Sequence, residues 1–446
     1  MKLLFLILML APAARAAELS VTLSAAEEGA LAASNAYRSA RLSAEAAEAA
    51  ASASGALLKP RLALEGSLRY AHVVPEIAMP AALGGARPLG DNWNYTLGPS
   101  AYWTFYDGGA LGSGREAARR TAAARRAEAE HARRQALLKG RSAYFGLQLA
   151  LEKVYLIGEN LQLSLAQLKD ISAGARAGTR SRLDEIRARQ ETLARRRDLV
   201  RARADLAGAL RDFALATGLE APAGSALPSD ARLKGRIPDG EAELYLRAEP
   251  YTEILPRLLP AAQRLPDKAL PSVEALAEYS RAYGAQAAGY AAERLPRLTL
   301  GARSSLDYPN GPNLYSFWQN SASLALSLPL FEGGRSAEKR RESELNAAAA
   351  AERRSEAALQ ADRDYRKALD AYAALLAEQE INIDALDDAA EAARLSYEAY
   401  RSGGATWLEV ESANLKELQA RTTAATANAE ILLKLALVDS LTGSVK

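Results

Sequence analysis

The chain has 446 residues, a net charge of +2, no cysteine and 49% hydrophobic residues, many of them alanine. The small net charge argues against a nucleic-acid partner, because no large basic excess is present to displace counterions. The lack of cysteine excludes disulfides and a lipidated cysteine, and abundant alanine with few aromatic residues favours long, closely packed helices.

The first residues have the pattern of an export signal. Lys2 supplies the charge, residues 3–10 form an apolar run, and Ala14-Arg15-Ala16 is a small-x-small cleavage site. The run is shorter than the roughly 20 residues that a spanning helix needs, and no later segment has that length and apolarity. We therefore predict that residues 1–16 are a signal peptide, that the mature protein is exported, and that any membrane insertion uses strands.

The first half reads as one helix, two strands and two long helices. Proline ends the first helix at position 60. Two segments then alternate apolar and polar residues with the period of a strand. The predicted elements are a helix at about 24–58, strands at 61–70 and 93–105, a helix from about 109 to 178, and a returning helix at about 181–217.

The second half repeats this plan in a fixed register. One constant offset places Phe105 on Leu330 and Gly109 on Gly334, and it continues to the C-terminus without a gap. Such internal similarity decides the architecture. The predicted elements are a helix at about 272–294, strands at 298–308 and 318–330, a helix from about 334 to 403, and a returning helix at about 406–442.

The duplication also defines the domains. Between the halves lies a proline-rich connection with little periodicity, which predicts a linker with short helices. The predicted segments are the signal peptide at 1–16, a first structural repeat at 17–219, a linker or equatorial segment at 220–270, and a second structural repeat at 271–446.

The long helices carry heptad patterns, and the short glycine-containing turns after them predict antiparallel hairpins. In the first helix apolar residues alternate in steps of four and three from Leu147 to Leu168. In the second helix the predicted seam contains Tyr372, Leu376 and Ile383, with Gln379 as a polar interruption.

The strands indicate an assembled membrane barrel. Each strand has one apolar face, and in lipid every backbone group must be paired, so the sheet has to close on itself. Four strands cannot close, and two chains would give a barrel filled by its own side chains. We therefore predict an oligomeric barrel in lipid, with a homotrimer as the smallest assembly that leaves a lumen.

The same alternation assigns strand side chains to two environments. Polar residues predicted to face water in the lumen are Arg61, Glu65, Arg69, Arg303 and Asp307. Aromatic residues near strand ends, as is typical of membrane interfaces, are Trp93, Tyr95, Trp103, Tyr308 and Trp318. The alternative is that these aromatic residues form the core of a soluble sandwich.

These ordered features resemble the TolC-like outer-membrane efflux proteins. The resemblance rests on the duplicated order, on the junctions Phe-Tyr-Asp-Gly-Gly and Leu-Phe-Glu-Gly-Gly, and on the turns after the long helices. It implies a mixed α/β membrane protein with duplicated long coiled-coil helices and four β-strands per protomer. The trimer would form a twelve-stranded β-barrel in the lipid of a Gram-negative outer membrane, continued by a twelve-helix periplasmic tunnel. It also implies a passive exit channel for tripartite efflux or type I secretion, docked to a periplasmic adaptor (membrane fusion) protein and an inner-membrane transporter.

The resemblance places the two turns at the periplasmic entrance. Acidic residues that narrow this entrance in the family correspond to Asp184 and Glu409, and rings of carboxylates favour cations. The alternative is that both are helix N-terminal charges favoured by the helix dipole. The family's second acid falls on Arg187 and Ser412, so a double acidic ring is not matched.

A basic residue in the turn can tie neighbouring hairpins in this family. Only the first turn has one, Arg180, so we expect a one-sided tie that involves Arg182 and Tyr400. The positions that the resemblance assigns to adaptor docking are Gly178, Leu183, Gly403 and Leu408.

Residues for chemistry are scarce. His72 and His131 are the only histidines, and there is no metal-ligand spacing, phosphate loop or coherent triad. We therefore predict no enzyme activity, no catalytic residue, no cofactor and no metal site. Two alternatives remain open: a periplasmic coiled-coil scaffold without a barrel, and a hydrolase acting on the cell envelope.

Overall fold

The computed structural model describes residues 19–80, 85–219, 246–267 and 269–442. The predicted signal peptide and residues 220–245 of the predicted linker lie outside the described residues. The helices are α1 (Leu23–Ala33), α2 (Asn35–Ala56), α3 (Ala110–Arg176), α4 (Arg182–Thr217), α5 (Tyr251–Leu258), α6 (Pro271–Ala292), α7 (Arg335–Ser402) and α8 (Trp407–Leu441), with a 3-10 helix at Leu259–Gln263. The strands are β1 (Leu19–Val21), β2 (Arg61–Tyr70), β3 (Glu76–Ile77), β4 (Arg87–Pro88), β5 (Trp93–Tyr106), β6 (Leu246–Ala248), β7 (Arg297–Tyr308) and β8 (Phe317–Ser327).

The element bounds preserve the duplication and locate its one change of register. The starts of α3 and α7 are separated by the number of residues that the sequence offset between the two halves predicts, and the starts of α4 and α8 have the same separation. Upstream, a larger offset separates the starts of α2 and α6, and the same larger offset separates those of β2 and β7. The change therefore falls between the two strands of each half, where the first half has the longer connection. A loop outside the sheet tolerates such an insertion, whereas a long packed helix does not.

Four strands form one antiparallel sheet in the order β2-β5-β7-β8. Their register places apolar side chains opposite one another on every strand pair: Leu64 lies opposite Pro99, Leu97 opposite Leu306, and Leu300 opposite Leu324. One face of the sheet is therefore apolar across all four strands, and Leu64 is 74% exposed in the protomer.

One strand pairing is irregular, and one local prediction was wrong. The register of β5 and β7 shifts between Thr104 and Tyr106, so Tyr106 lies opposite Leu298. The Phe105 ring still packs beside the Trp103 ring, as the alternation predicts, with centroids 5.9 Å apart. The predicted helix at 24–58 is divided at Ser34, whose backbone is extended and whose hydroxyl accepts a hydrogen bond from the Tyr37 N–H at 3.2 Å.

The chain forms two compact units, and each takes segments from both repeats. The first unit, called here the hairpin unit, contains the described parts of 1–38, 131–270 and 359–446, and the second, called here the sheet unit, contains 39–130 and 271–358. The core of the hairpin unit is formed by buried side chains of α3, α4, α5 and α8. These buried side chains include Tyr144, Phe145, Leu206, Ile254, Ile431, Leu432 and Leu435.

One tyrosine fastens a two-stranded parallel ribbon of β1 and β6 to this core. The Tyr144 hydroxyl donates to the carbonyl of Val21 and accepts from the N–H of Glu249, both at 2.9 Å. The Gln148 amide donates to the carbonyl of Glu249 at 2.7 Å. A segment within the predicted linker is therefore fixed to α3 by side chains one turn apart.

We expect Tyr144→Phe to loosen this ribbon. The variant leaves the Val21 carbonyl and the Glu249 N–H without the hydroxyl, at a cost of about 1–3 kcal/mol. Tryptic cleavage after Arg247, within β6, should be roughly tenfold faster, because cleavage follows the population of the open form. Tyr155→Phe is the control, since Tyr155 is 58% exposed. Equal cleavage rates in both variants would contradict the fastening role.

The predicted heptad seam holds in α3 and is partly wrong in α7. Leu147, Val154 and Leu161 of α3 are buried. In α7, Leu376 and Ile383 are 41% and 52% exposed. Gln379 lies in the actual seam, and its side-chain amide donates to the side-chain Oδ1 of Asn428 in α8 at 3.0 Å. The prediction followed apolar residues, whereas the packed seam accepts polar side chains that pair with each other.

Candidate functional site

The turns between the long helices are built alike. Gly178 and Gly403 end α3 and α7 with φ values of +75° and +86°, a backbone region that glycine adopts without strain. Ser181 and Thr406 then cap α4 and α8, their hydroxyls accepting from backbone N–H groups. These two turns and the helix ends beside them are called here the tip.

Glu409 closes a capping box at the start of α8. Its carboxylate accepts from the Thr406 N–H at 2.6 Å, and the Thr406 hydroxyl accepts from the Glu409 N–H at 3.4 Å. The donation from Thr406 lowers the pKa of the Glu409 carboxyl. The predicted entrance acid of the second turn thus has a local structural role at the exposed helix start.

Arg180 joins the first turn to the end of α7. Its guanidinium donates to the carbonyls of Tyr400 and Arg401, each at 2.8 Å. It also lies over the Tyr400 ring, 4.5 Å from the ring centroid. A cation at these carbonyls complements the negative C-terminal end of a helix dipole. Within the protomer Arg182 instead pairs with Glu185 of its own helix.

Tyrosines of α7 connect this contact to both helices of the first hairpin. The Tyr400 hydroxyl donates to Asp184 of α4 at 3.3 Å, and the Tyr397 hydroxyl donates to Asp170 of α3 at 3.0 Å. Burial, followed by the hydrogen bond to Asp170, raises the pKa of Tyr397 to about 12. Both tyrosines therefore remain protonated donors at physiological pH.

An apolar cluster fixes Tyr400 from the other side. Its ring packs edge-on against Trp407, with centroids 5.4 Å apart, and Trp407 is 1% exposed. The other buried members of this cluster are Ile171, Ala188 and Val410. Sequence reasoning missed Trp407 and the Tyr397–Asp170 pair, although a tryptophan directly after a capping threonine was a visible signal.

A buried polar layer lies further along the same hairpins. Glu191 and Arg195 of α4 are 3% and 7% exposed, and each has a side-chain atom without a hydrogen-bond partner. Burial, reinforced by the charge of Glu411, raises the pKa of Glu191 to about 7, against the opposing effects of Arg195 and Asn414. Asn414 of α8 also donates to Gln167 of α3 at 3.0 Å.

We expect the packing of the hairpins around Glu191 to weaken as the pH rises. Its folded pKa near 7 exceeds the ordinary 4.5, so the packed state holds the proton more tightly than the open state. Stability is greatest below about pH 4.5 and falls by up to about 3 kcal/mol as the pH passes 7. Hydrogen exchange over residues 186–196, corrected for intrinsic rates, should show this loss in the wild type. Glu191→Gln should remove it, and an unchanged pH dependence in that variant would contradict the assignment.

The other predicted tip residues lie on the surface around the turns. Leu183 and Leu408 occupy equivalent positions in the two halves and are 53% and 58% exposed. Gly178 and Gly403 are also exposed, and Arg187 is half-buried in α4. The tip therefore presents two exposed leucines beside two turns of the same design.

In the sheet the structure brings some predicted polar residues together and leaves others apart. Arg303 donates to the Thr96 hydroxyl at 2.7 Å, and that hydroxyl is hydrogen-bonded to Asp307. The three predicted polar residues of β2, by contrast, are exposed along that edge strand; they are Arg61, Glu65 and Arg69.

The predicted interface aromatics lie near strand ends. Tyr95 and Tyr308 stack with centroids 5.1 Å apart, and the Trp103 indole donates to the Leu58 carbonyl at 3.1 Å. Trp93 packs edge-on against a tyrosine of β2, and Trp318 is exposed near the start of β8.

Neither a metal cluster nor a membrane-spanning helix was found in the described part of the chain. Across residues 19–80, 85–219, 246–267 and 269–442, no three His, Cys, Asp or Glu side chains are placed to hold a metal ion. Among the same residues, each helix is too polar or too short to cross a bilayer.

Comparison with known proteins gives a consistent family. The sequence matches the model of the outer membrane efflux protein family over residues 26–219 and 268–444. No curated protein matches it. A structure of CusC, described with its folding and transmembrane channel formation, is 18% identical, with a TM-score of 0.73 over 95% of this chain and 92% of that one.

Two further channels share the fold. VceC, an outer membrane protein of Vibrio cholerae, is 21% identical, with a TM-score of 0.70 over 94% of this chain and 96% of that one. The open MtrE outer membrane channel of Neisseria gonorrhoeae is 20% identical, with a TM-score of 0.70 over 94% of this chain and 88% of that one. The family match covers most of the chain, so this protein belongs to the outer membrane efflux protein family. It is therefore an outer-membrane efflux protein.

Proposed function

We propose that this efflux protein works as a homotrimer, in which three four-stranded sheets close into one twelve-stranded barrel and three sets of long helices form a twelve-helix periplasmic tunnel. The observation that carries this proposal is the open sheet with one continuous apolar face. Strands β2 and β8 are its edges, and their backbone groups need partners wherever lipid covers the sheet. Pairing β8 of one protomer with β2 of the next supplies them.

The duct is passive in this proposal. A periplasmic adaptor and an inner-membrane transporter select the substrate and deliver it to the tip. Gly178, Leu183, Gly403 and Leu408 form the adaptor contact, and their surface position supports this assignment. In the barrel, Arg61, Glu65, Arg69, Arg303 and Asp307 face the water-filled lumen.

Extraction of cell envelopes separates this duct from a periplasmic scaffold. We expect the protein to stay with membranes through high salt and carbonate and to leave only with detergent, because hydrocarbon covers the apolar face. Reconstituted protein should conduct ions across a planar bilayer. Release by carbonate without detergent, or a bilayer that stays silent, would contradict the duct and favour the scaffold.

We further propose that the tip forms the entrance gate. Arg180 holds the two hairpins of a protomer together through the end of α7, and Tyr400 extends this contact to Asp184. Around a threefold axis, Asp184 and Glu409 supply carboxylates near the constriction, and Arg187 lies three residues after Asp184. The contacts between the hairpins support this proposal at Asp184, whereas Glu409 also caps its own helix.

Neutralising the tip acids should reduce the preference for cations. Asp184→Asn keeps an acceptor for Tyr400, and Glu409→Gln keeps the capping box, so both changes remove charge with little change in shape. We expect the cation-to-anion permeability ratio to fall by about twofold or more in the double variant. Glu185→Gln is the control, because Glu185 pairs with Arg182 on its own helix. An equal fall in the control would remove Asp184 and Glu409 from the entrance.

A further inference from the structure

The first hairpin, formed by α3 and α4, meets helix α8 of the second hairpin in a layer of buried polar side chains. Each side chain of this polar layer is at most 7% exposed. The six residues are Ser164, Gln167, Glu191, Thr192, Arg195 and Asn414. Hydrogen bonds cross between helices within it, from Ser164 to Thr192 at 2.9 Å and from Asn414 to Gln167 at 3.0 Å. The hairpins are therefore joined here by polar groups where an apolar seam would be expected.

The hydrogen bonding of this layer is incomplete. Among the residues that the structure describes, four buried side-chain atoms have no hydrogen-bond partner in the protein. Two of them, Glu191 Oε2 and Arg195 Nε, belong to the polar layer, and a third, Trp407 Nε1, belongs to the apolar cluster of the tip. A buried polar group without a partner weakens the packed arrangement. The two hairpins are therefore held less firmly in this layer than a fully paired or apolar seam would hold them.

Glu191 is opposed by an acid of the other hairpin. Burial acts most strongly on its carboxyl group, and the like charge of Glu411 in α8 adds to that effect. Arg195, one turn further along α4, acts in the opposite direction, but its guanidinium also donates to Asp198 at 3.3 Å. An ionised Glu191 would thus be a buried charge that faces a like charge and shares its one cation. The packed arrangement therefore favours a neutral, protonated Glu191.

The other helices bring uncharged groups to this part of the hairpins. Helix α3 contributes Ser164 and Gln167 to the polar layer. Helix α7 contributes Tyr400 to the neighbouring apolar cluster, and the Tyr400 hydroxyl donates to Asp184 at 3.3 Å. In the described residues Glu411 is therefore the like charge that opposes ionisation of Glu191.

We propose that Glu191 and Glu411 form a proton-operated latch that controls the opening of the tip. A protonated Glu191 packs against Glu411 and keeps the second hairpin on the first. When the proton passes to solvent water, the two carboxylates repel each other and the hairpins separate. The latch rests on the proposed gate, because Arg180 joins the same two hairpins at the tip. Acid therefore keeps the entrance closed, and a rise in pH releases it.

The direction and size of the effect follow from the proton affinity of the two states. The pKa of Glu191 is raised to about 7 in the packed state, whereas a solvated carboxyl group in the open state has the ordinary value of 4.5. The contribution to the packed state is complete below pH 4.5 and is lost as the pH rises through 7. Between pH 6 and pH 8 the equilibrium should move toward the open state by about tenfold.

The ratio of open to closed time of the reconstituted channel tests the latch. In the wild type this ratio should rise about tenfold from pH 6 to pH 8. Glu191→Gln stays neutral at every pH, so its ratio should remain at the wild-type value for pH 6. Glu411→Gln removes the like charge and should give a weaker response that levels off at a lower pH. Glu185→Gln is the matched control and should respond like the wild type, because Glu185 pairs with Arg182 outside the polar layer.

The natural absence of cysteine permits a second readout that needs no current. Ala188→Cys places a small thiol at a position that is 1% exposed, in the apolar cluster one turn from Glu191. Gln190→Cys places a thiol on the exposed surface of the same helix. The labelling rate of the first by N-ethylmaleimide, divided by that of the second, corrects for the ionisation of the thiol itself. In the detergent-purified protein this quotient should rise about tenfold from pH 6 to pH 8, and Glu191→Gln should abolish the rise.

The two readouts separate failure of the latch from failure of the proposed duct. A conducting protein whose opening does not change with pH, or changes equally in Glu191→Gln, overturns the latch and leaves the duct. Labelling that rises with pH while the ratio of open to closed time stays constant shows hairpins that separate without opening the entrance, and it also overturns the latch. Protein that carries no current at any pH overturns the duct and the latch together.

Discussion

Arg180→Ala should raise the single-channel conductance of the reconstituted protein several-fold. The variant removes two charge-assisted hydrogen bonds to the carbonyls of Tyr400 and Arg401, together with the stacking on the Tyr400 ring. Hydrogen bonds to charged groups contribute about 1.5–3 kcal/mol each, and an exposed cation–π contact about 0.5–1 kcal/mol. In the proposed gate, loss of one of these hydrogen bonds would shift the equilibrium from a closed tip toward an open one by about tenfold or more.

Two variants make the test specific. Tyr400→Phe keeps the ring under the guanidinium and removes only the hydrogen bond to Asp184, so we expect a smaller increase. Arg182→Ala removes a neighbouring arginine whose partner is Glu185 on the same helix, so we expect no increase. Equal conductance of Arg180→Ala and Arg182→Ala would show that the contact between the hairpins does not hold the entrance.

Arg141→Ala should loosen the packing of α1 on the long helices. Arg141 is a half-buried residue of α3 that pairs with Glu27 of α1 and with Asp439 of α8, the latter at 2.6 Å. Arg264 also forms an ion pair with Asp439, at 3.0 Å, so Asp439 keeps one partner in the variant. Arg141→Ala therefore removes the ionic partner of Glu27 above all. Removing one partner of a largely buried ion-pair network lowers the free energy of unfolding by about 2–3 kcal/mol, after allowance for the partial exposure of these side chains.

Hydrogen exchange measures this cost locally. Peptides covering residues 23–33 should exchange roughly 30- to 100-fold faster in Arg141→Ala than in the wild type. Arg340→Ala is the control, because Arg340 forms an exposed pair with Glu344 within α7. Unchanged protection of α1 would mean that its apolar contacts alone hold it in place.

The parts of the fold that follow from periodicity could be predicted from the sequence. The constant offset between the halves predicted where α7 and α8 start once α3 and α4 were located, because a packed helix of this length tolerates no insertion. Alternation along 61–70 and 93–105 gave β2 and most of β5, because a strand beside two different environments alternates its side chains. Both patterns repeat many times, so single exceptions do not hide them.

The remainder depends on contacts that leave no periodic trace. The pairing of β1 with β6 involves three residues on each side and the hydroxyl of Tyr144, which is distant from β6 in the sequence. Glu191 and Arg195 are charged residues in an arginine-rich helix, and only the position of α8 shows that they are buried. At the tip, composition marked Arg180, but the choice of Tyr400 and Arg401 as acceptors required the geometry.

Labelling of single cysteines along β2 tests the central claim, that lipid covers one face of the sheet and water the other. A membrane-impermeant maleimide should label cysteines at Arg61, Glu65 and Arg69 in reconstituted vesicles. Cysteines at Leu62, Leu64 and Leu68, which are 79%, 74% and 68% exposed in the protomer, should resist the reagent until detergent is added. A strict alternation of labelled and protected positions is the predicted result. Equal labelling of both faces before detergent is added would contradict the membrane barrel.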